Sequence, residues 1–251
     1  MSVAAATQAE HAPGRLALAA FAGAVVTGGS NFVAVRYSNR ELDPLWGAGL
    51  RFGLAALVFA ILCAALRLTV PRGRALGMSA LYGLLGFGGT YGCLYWALQD
   101  VPAGIGAVVM AVGPLLTLFL AVLHGMELLS GRAVAGALVA IVGSVLIFFQ
   151  PGSVSFRWQS FVLLVVAALC ASESVIISKR IGRQHPAATN LVAMTAGAAA
   201  LFASSAVAGE AFALPREGET QAALAYLVAA TVGLFLLILF VVQRWSASAT
   251  R

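Results

Sequence analysis

Charge is what this chain has least of. Acidic and basic residues make up 10% of its 251 positions, where an ordinary soluble domain carries about 25%. Hydrophobic residues reach 61%. A water-soluble fold of this size could not hide that much apolar surface, because a large part of any globular surface must be solvated. Hydrocarbon is the natural solvent. Cysteine is also sparse. Cys63, Cys93 and Cys170 fall in three separate apolar runs with neither CxxC nor Cys/His spacing. That excludes a disulfide framework and a thiolate metal site, and leaves small, reduced packing residues. No Ser/His/Asp, Cys/His or paired-carboxylate constellation emerges, so nothing points to an enzyme or calls for a cofactor. The run GFGGTYG (86–92) lacks the strand–turn–helix context and the Lys of a phosphate loop; it reads as a packing face inside a membrane helix. The formal charge of +6 does not argue for nucleic acid, because the basic residues sit in short connections and form no basic face.

Apolar runs are plentiful. Crossing about 30 Å of hydrocarbon takes about 20 apolar residues, and such runs fall at 16–36, 44–66, 75–98, 102–124, 132–149, 158–178, 188–208 and 222–243. Each is expected to be helical, since backbone polar groups have no water partner in lipid. Pro44, Pro102 and Pro186 stand at helix starts, where a missing N–H costs nothing. Asp43 before Pro44 suits an N-cap. The 27 glycines fit closely approaching membrane helices.

The short connections make neighbouring helices antiparallel, and the basic residues then divide by side. Arg15, Arg67, Arg72, Arg74, Arg132, Lys179, Arg180, Arg183, Arg244 and Arg251 lie on one side; Arg36, Arg40, Arg157 and Arg216 lie on the other. Ten against four places the N-terminus in the cytoplasm. The acidic segment 209–219 then faces outward.

The chain also carries an internal repeat. GGSNFVAVRYSNRELDP (28–44) lies over CASESVIISKRIGRQHP (170–186) without a gap, pairing Ser30 with Ser172, Asn31 with Glu173 and Pro44 with Pro186. Further on, Tyr82 meets Tyr226, Gly89 meets Gly233 and Gln99 meets Gln243. A unit of five helices is odd in number, so its second copy enters the membrane from the opposite side, giving an inverted-topology repeat. The first copy occupies 1–150 and the second, with three helices, 151–251. By this alignment two spans of the second copy are missing, through shortening or through evolution without them.

The segments GGSNFVAVR, LRFGLAALVFA (50–60) and LYWALQDVPAGIGAVVMAVGPLLTLFLAVLHGMELLSGRAVAGALVAIVGSVLI (94–147) carry a resemblance. In order they give an aromatic–Ala–Leu helix end, a helix with a central Pro, an acidic residue just after it, and a Gly-rich fifth helix. The chain resembles the drug/metabolite transporter superfamily, specifically its EamA-type members, over 16–251. The resemblance implies ten helices in two inverted five-helix repeats. It also implies a central cavity built from both halves, including the ninth helix. The expected fold is thus all-α and membrane-embedded, with eight transmembrane helices of that ten-helix plan.

Several residues are candidates for chemistry. Glu173, in the sixth helix, is an ionisable group at a costly depth. It reads as a proton-coupling or cation-binding carboxylate, as a structural one bonded to Ser172 or Ser174, or as one reached by interfacial water. Asn31, its repeat mate, reads as a gate residue or as hydrogen-bond glue between helices. Arg51 holds an anionic substrate group or pairs with a carboxylate in the cavity, or it snorkels to the outer interface on its long stem. Tyr91 is the deeper of the third-helix aromatics and the better cavity residue; Tyr95 and Trp96 read more readily as an interfacial belt. Pro114 breaks the ladder midway through the fourth helix, freeing a carbonyl or supplying a bending point. His124 and Glu127 lie three apart without further ligands, so a metal is not expected. Gly136, Ala140 and Ser144 form a small-residue stripe suited to helix association or a homodimer.

The expectation is an inner-membrane secondary transporter moving a small metabolite or drug by alternating access, outward, with proton exchange resting on Glu173. The alternative is a truncated, transport-inactive membrane protein with an assembly or structural role. No residue selects the substrate.

Overall fold

The computed structural model describes residues 15–126, 131–148, 157–182 and 184–248. Among these the chain is all-helical, and the eight apolar runs become eight helices. They are α1 (Arg15–Ser38), α2 (Pro44–Ala65), α3 (74–100), α4 (Ala103–Leu123), α5 (Gly131–Phe148), α6 (Trp158–Lys179), α7 (Pro186–Ala208) and α8 (Gly218–Ser248). Four of them, α2, α4, α6 and α7, are long and apolar enough by length and composition to cross a membrane. Residues such as Leu57, Ile61, Phe161 and Val162 stand exposed on α2 and α6, an arrangement that suits lipid and not water.

Two helices are irregular. In α3 the segments Arg74–Gly83 and Thr90–Asp100 flank a π-helical turn, Leu84–Gly89. The Thr90 hydroxyl donates to the Leu85 carbonyl at 2.9 Å, satisfying an acceptor inside that turn. Such turns mark functional segments often enough to note. In α4 the segments Ala103–Met110 and Gly113–Leu123 meet at a break, with Pro114 in the first turn of the second. Proline brings no N–H for the Met110 carbonyl, which explains a break just before it.

Packing is close where glycines let backbones touch. A Cβ on Gly83 would collide with the backbone of Ala193, and one on Gly197 would stand 2.6 Å from the Phe87 Cβ. Hence α3 lies directly on α7. Helix α2 packs on α7, α1 on α8, and both α3 and α4 on α6.

Acidic side chains bind the α7–α8 connection to the start of α2. Asp43 precedes α2 but does not cap it; its carboxylate instead accepts the Ala211 N–H at 2.7 Å. Glu210 does the capping, accepting the Leu45 and Trp46 N–H groups at 3.1 and 2.8 Å. A longer side chain from across the loop reaches those amides while Asp43 is drawn away. Glu41 accepts the N–H groups of Arg216 and Glu217. The Arg216 amide is the first cause holding its carboxyl below the usual range.

Candidate cavity between the helices

A cavity of about 360 Å³ lies among α1, α2, α3, α4, α6 and α8, a volume within the range of small-molecule sites. Its position follows from helical periodicity. On α2, Ala48, Arg51, Phe52, Ala55 and Phe59 are buried while Leu54, Leu57 and Ile61 are exposed, so one stripe faces inward and the other outward. Arg51 belongs to the inward stripe and is 3% exposed. It does not snorkel. Its Nε–H donates to the Thr231 Oγ1 at 2.9 Å, and the Thr231 hydroxyl donates to the Leu227 carbonyl at 2.7 Å. The guanidinium carbon lies 4.8 Å from the Tyr91 ring centre and 5.0 Å from that of Phe52, within cation–π range. One terminal nitrogen, Nη1, and the Tyr95 hydroxyl beside it are both buried, and neither makes a well-formed hydrogen bond.

The cavity brings together three of the sequence-derived candidates, Asn31, Arg51 and Tyr91. Asn31 is buried at 8% exposure. Tyr91 packs edge-on against Phe52, ring centres 4.7 Å apart. Tyr95 is fully buried, with its carbonyl accepting from the Asn39 side chain at 2.8 Å. Trp96, beside it in sequence, is exposed. Burial leaves Tyr95 no place in an interfacial belt, while Trp96 stays exposed, because their side chains leave α3 about 100° apart.

Glu173 is not among the cavity's described lining residues. Its Oε1 stands 3.4 Å from the His124 Nε2, both side chains less than a third exposed. The neighbouring serines do not bond to it. Ser172 donates to the Gly113 carbonyl at the α4 break, and Ser174 to the Ala171 carbonyl. His124 thus meets Glu173; Glu127 lies outside the described residues. Gly136 is exposed with open space about it, and the side chains of Ala140 and Ser144 lie outside those described.

Sequence reasoning missed Thr231, Thr90, Ser174 and Tyr82, all of which line the cavity. A threonine in an apolar run carries no signal of its own: Thr90 and Thr231 each bond back to their own helix and also line the cavity, and only the packed bundle reveals the second role. Among the described residues no three His, Cys, Asp or Glu side chains gather as a metal site.

Comparisons with known proteins agree with this architecture. A solved crystal structure of a protein superposes with a TM-score of 0.63 over 86% of this chain and 79% of its own, at 18% identity, a likeness of fold. A protein of Streptantibioticus cattleyicolor named "Probable terminal-alkyne amino-acid exporter" is 32% identical over 148 residues, 58% of this chain and 49% of that one. One of Salmonella typhimurium named "Probable amino-acid metabolite efflux pump" is 32% identical over 177 residues, 68% of this chain and 57% of that one. The chain thus spans about half the length of these curated relatives. The family model for EamA-like transporters matches residues 15–149, more than half the chain and all the elements from α1 through α5. The chain is a membrane protein and belongs to the EamA-like transporter family.

Proposed function

We propose that this chain moves a small metabolite out of the cell across the cytoplasmic membrane by alternating access around the Arg51–Tyr91 cavity. The observation that carries the reading is the cavity itself: polar side chains from several helices, Asn31, Arg51, Thr90, Ser174 and Thr231 among them, converge inside an apolar bundle. Such convergence in a membrane protein marks a solute path more often than a packing accident. The names of the exporter relatives support the outward direction.

The packing supports an inverted repeat with halves 1–150 and 151–251. In that scheme α1, α2 and α3 are the counterparts of α6, α7 and α8. Exchanging counterparts turns the α1–α8 contact into α6–α3 and leaves α2–α7 unchanged, and all three pairs are in contact. The N-terminus is then cytoplasmic, Glu173 and His124 lie toward the cytoplasm, and the acidic 209–219 connection lies outside. In this reading Glu173, paired with His124, carries the exchanged proton, and Asn31 takes part in a gate.

The test is comparative metabolite release from bacteria expressing the 251-residue chain, a Ser174→Trp chain whose cavity is filled, or neither. Release by the first alone, at equal membrane insertion, is expected. Release at the empty-vector level from a normally inserted chain would favour the transport-inactive alternative.

A further inference from the structure

Arg51 is the single charged residue among the described residues lining the cavity. Among the described residues no carboxylate joins it in the cavity. Glu41, Asp43 and Glu210 hold backbone amides, Glu219 pairs with Arg40, Asp100 with Arg157, and Glu173 with His124. A buried cation without a carboxylate partner is costly, and two aromatic faces offset only part of that cost. An apolar residue of similar volume would be more stable there. Arg51 is also held in a fixed direction by Thr231 while it lines the cavity.

We infer that the cavity binds the carboxylate of a small organic acid with an apolar body. The carboxylate meets the Arg51 guanidinium from the cavity, and the planar fork matches it. The apolar body lies against Phe52, Phe87, Leu94 and Met110, which line the same space. An ammonium group on the ligand meets hydroxyls and an amide but no described carboxylate, and it enters a cavity that is already positive. The acid end, not the amine end, therefore sets recognition. An N-acylated amino acid binds at least as well as its parent.

This inference takes the cavity to be the carrier's substrate site and so rests on that reading, but binding is measurable apart from movement. The purified full chain in detergent micelles is titrated calorimetrically with L-phenylalanine, N-acetyl-L-phenylalanine and 2-phenylethylamine, which share one ring and differ in charge. Both acids bind and the amine does not. In Arg51→Met the affinity for both acids falls about tenfold or more, as loss of a charge-assisted contact requires. The unfolding temperature of that variant rises, because a buried charge is gone; a purely structural arginine would give a fall. Thr231→Val keeps the charge but frees its direction, and weakens both acids to a smaller degree. Undiminished acid binding by either variant, equal binding of the amine, or no acid binding by the folded wild-type chain overturns the inference. Acid binding in micelles without release from cells would refute the carrier and leave the carboxylate site standing.

Discussion

The His124 imidazole and the Glu173 carboxylate meet at 3.4 Å, joining the C-terminal end of α4 to α6 outside the lining of the cavity that holds Arg51. The pair ties a helix that is broken at Pro114 to one whose next residue, Ser174, lines the cavity. In the proposed proton exchange, α6 is the link between this pair and the cavity wall.

If that pair carries the coupling proton, Glu173→Gln abolishes the pH dependence of transport while leaving the protein folded. Both side chains are partly hydrated, so the loss of stability stays within about 1 kcal/mol. Flux from reconstituted vesicles at a series of imposed pH gradients checks this. A Glu173→Gln chain with the wild-type pH response would remove the carboxylate from the mechanism.

Glu41 should make the α7–α8 connection acid-sensitive. The backbone N–H of Arg216, followed by that of Glu217, holds its carboxyl below the ordinary value of 4.5. A group whose folded pKa is depressed stabilises the fold fully above its unfolded value and loses that contribution as the pH falls through the folded one. The Arg216 and Glu217 amides are therefore protected from hydrogen exchange at neutral pH. Their protection declines as the pH drops below 4.5, after correction for intrinsic exchange. In Glu41→Gln the decline disappears. Protection that persists equally in both chains would show that the contact does not hold the connection.

The Glu210 cap on α2 predicts a graded series. Glu210→Ala leaves two amides at the helix start without their acceptor and lowers stability by about 1–2 kcal/mol, the usual scale for a lost cap. Glu210→Gln, which keeps one carbonyl oxygen, loses less. Asp43→Ala leaves the α2 amides untouched, because its carboxylate serves Ala211. Thermal unfolding in detergent ranks the three, and a larger loss for Asp43→Ala than for Glu210→Ala would contradict the assignment.

Gly83→Ala is expected to be the most damaging of the single-methyl additions. Its Cβ has no room against the Ala193 backbone, which cannot rotate aside as a side chain can. Overpacking of this kind costs about 1–3 kcal/mol and more when backbone must move. Gly77→Ala, earlier in α3 with open space around it, is neutral or slightly stabilising. Equal unfolding temperatures for the two variants would mean that α3 and α7 are not in backbone contact.

The positions of the helices are legible in the sequence because long apolar runs announce themselves: all eight runs are helices, four of them long and apolar enough to cross a membrane. Their ends are less so. The sixth apolar run stops at 178 and α6 ends at Lys179, whereas the last run covers 222–243 and α8 is Gly218–Ser248. Polar residues at its start and end continue the helix beyond the apolar stretch. Of the candidate site, Asn31, Arg51 and Tyr91 stand out because polar or aromatic groups in an apolar run are individually conspicuous. Thr231 does not, because its role depends on α8 lying beside α2, a contact between segments far apart in the chain. The substitution of Glu210 for Asp43 at the α2 cap is hidden for the same reason: the local pattern is right, and a distant carboxylate competes for the same amides.

The π turn at Leu84–Gly89 makes α3 a helix whose two ends obey different phases. Each residue added to a helix rotates the remainder of it by about 100°. Removing one residue from this turn would regularise the helix and swing the whole segment Thr90–Asp100 about its axis. Tyr91 would leave the cavity, Tyr95 would leave the core, and the exposed face that now carries Trp96 would be redirected into the bundle. The irregularity is a phase shifter: it lets the segment before it present Gly83 to α7 and the segment after it present Tyr91 to Arg51. Sequence change in this stretch is therefore constrained in length more tightly than in composition.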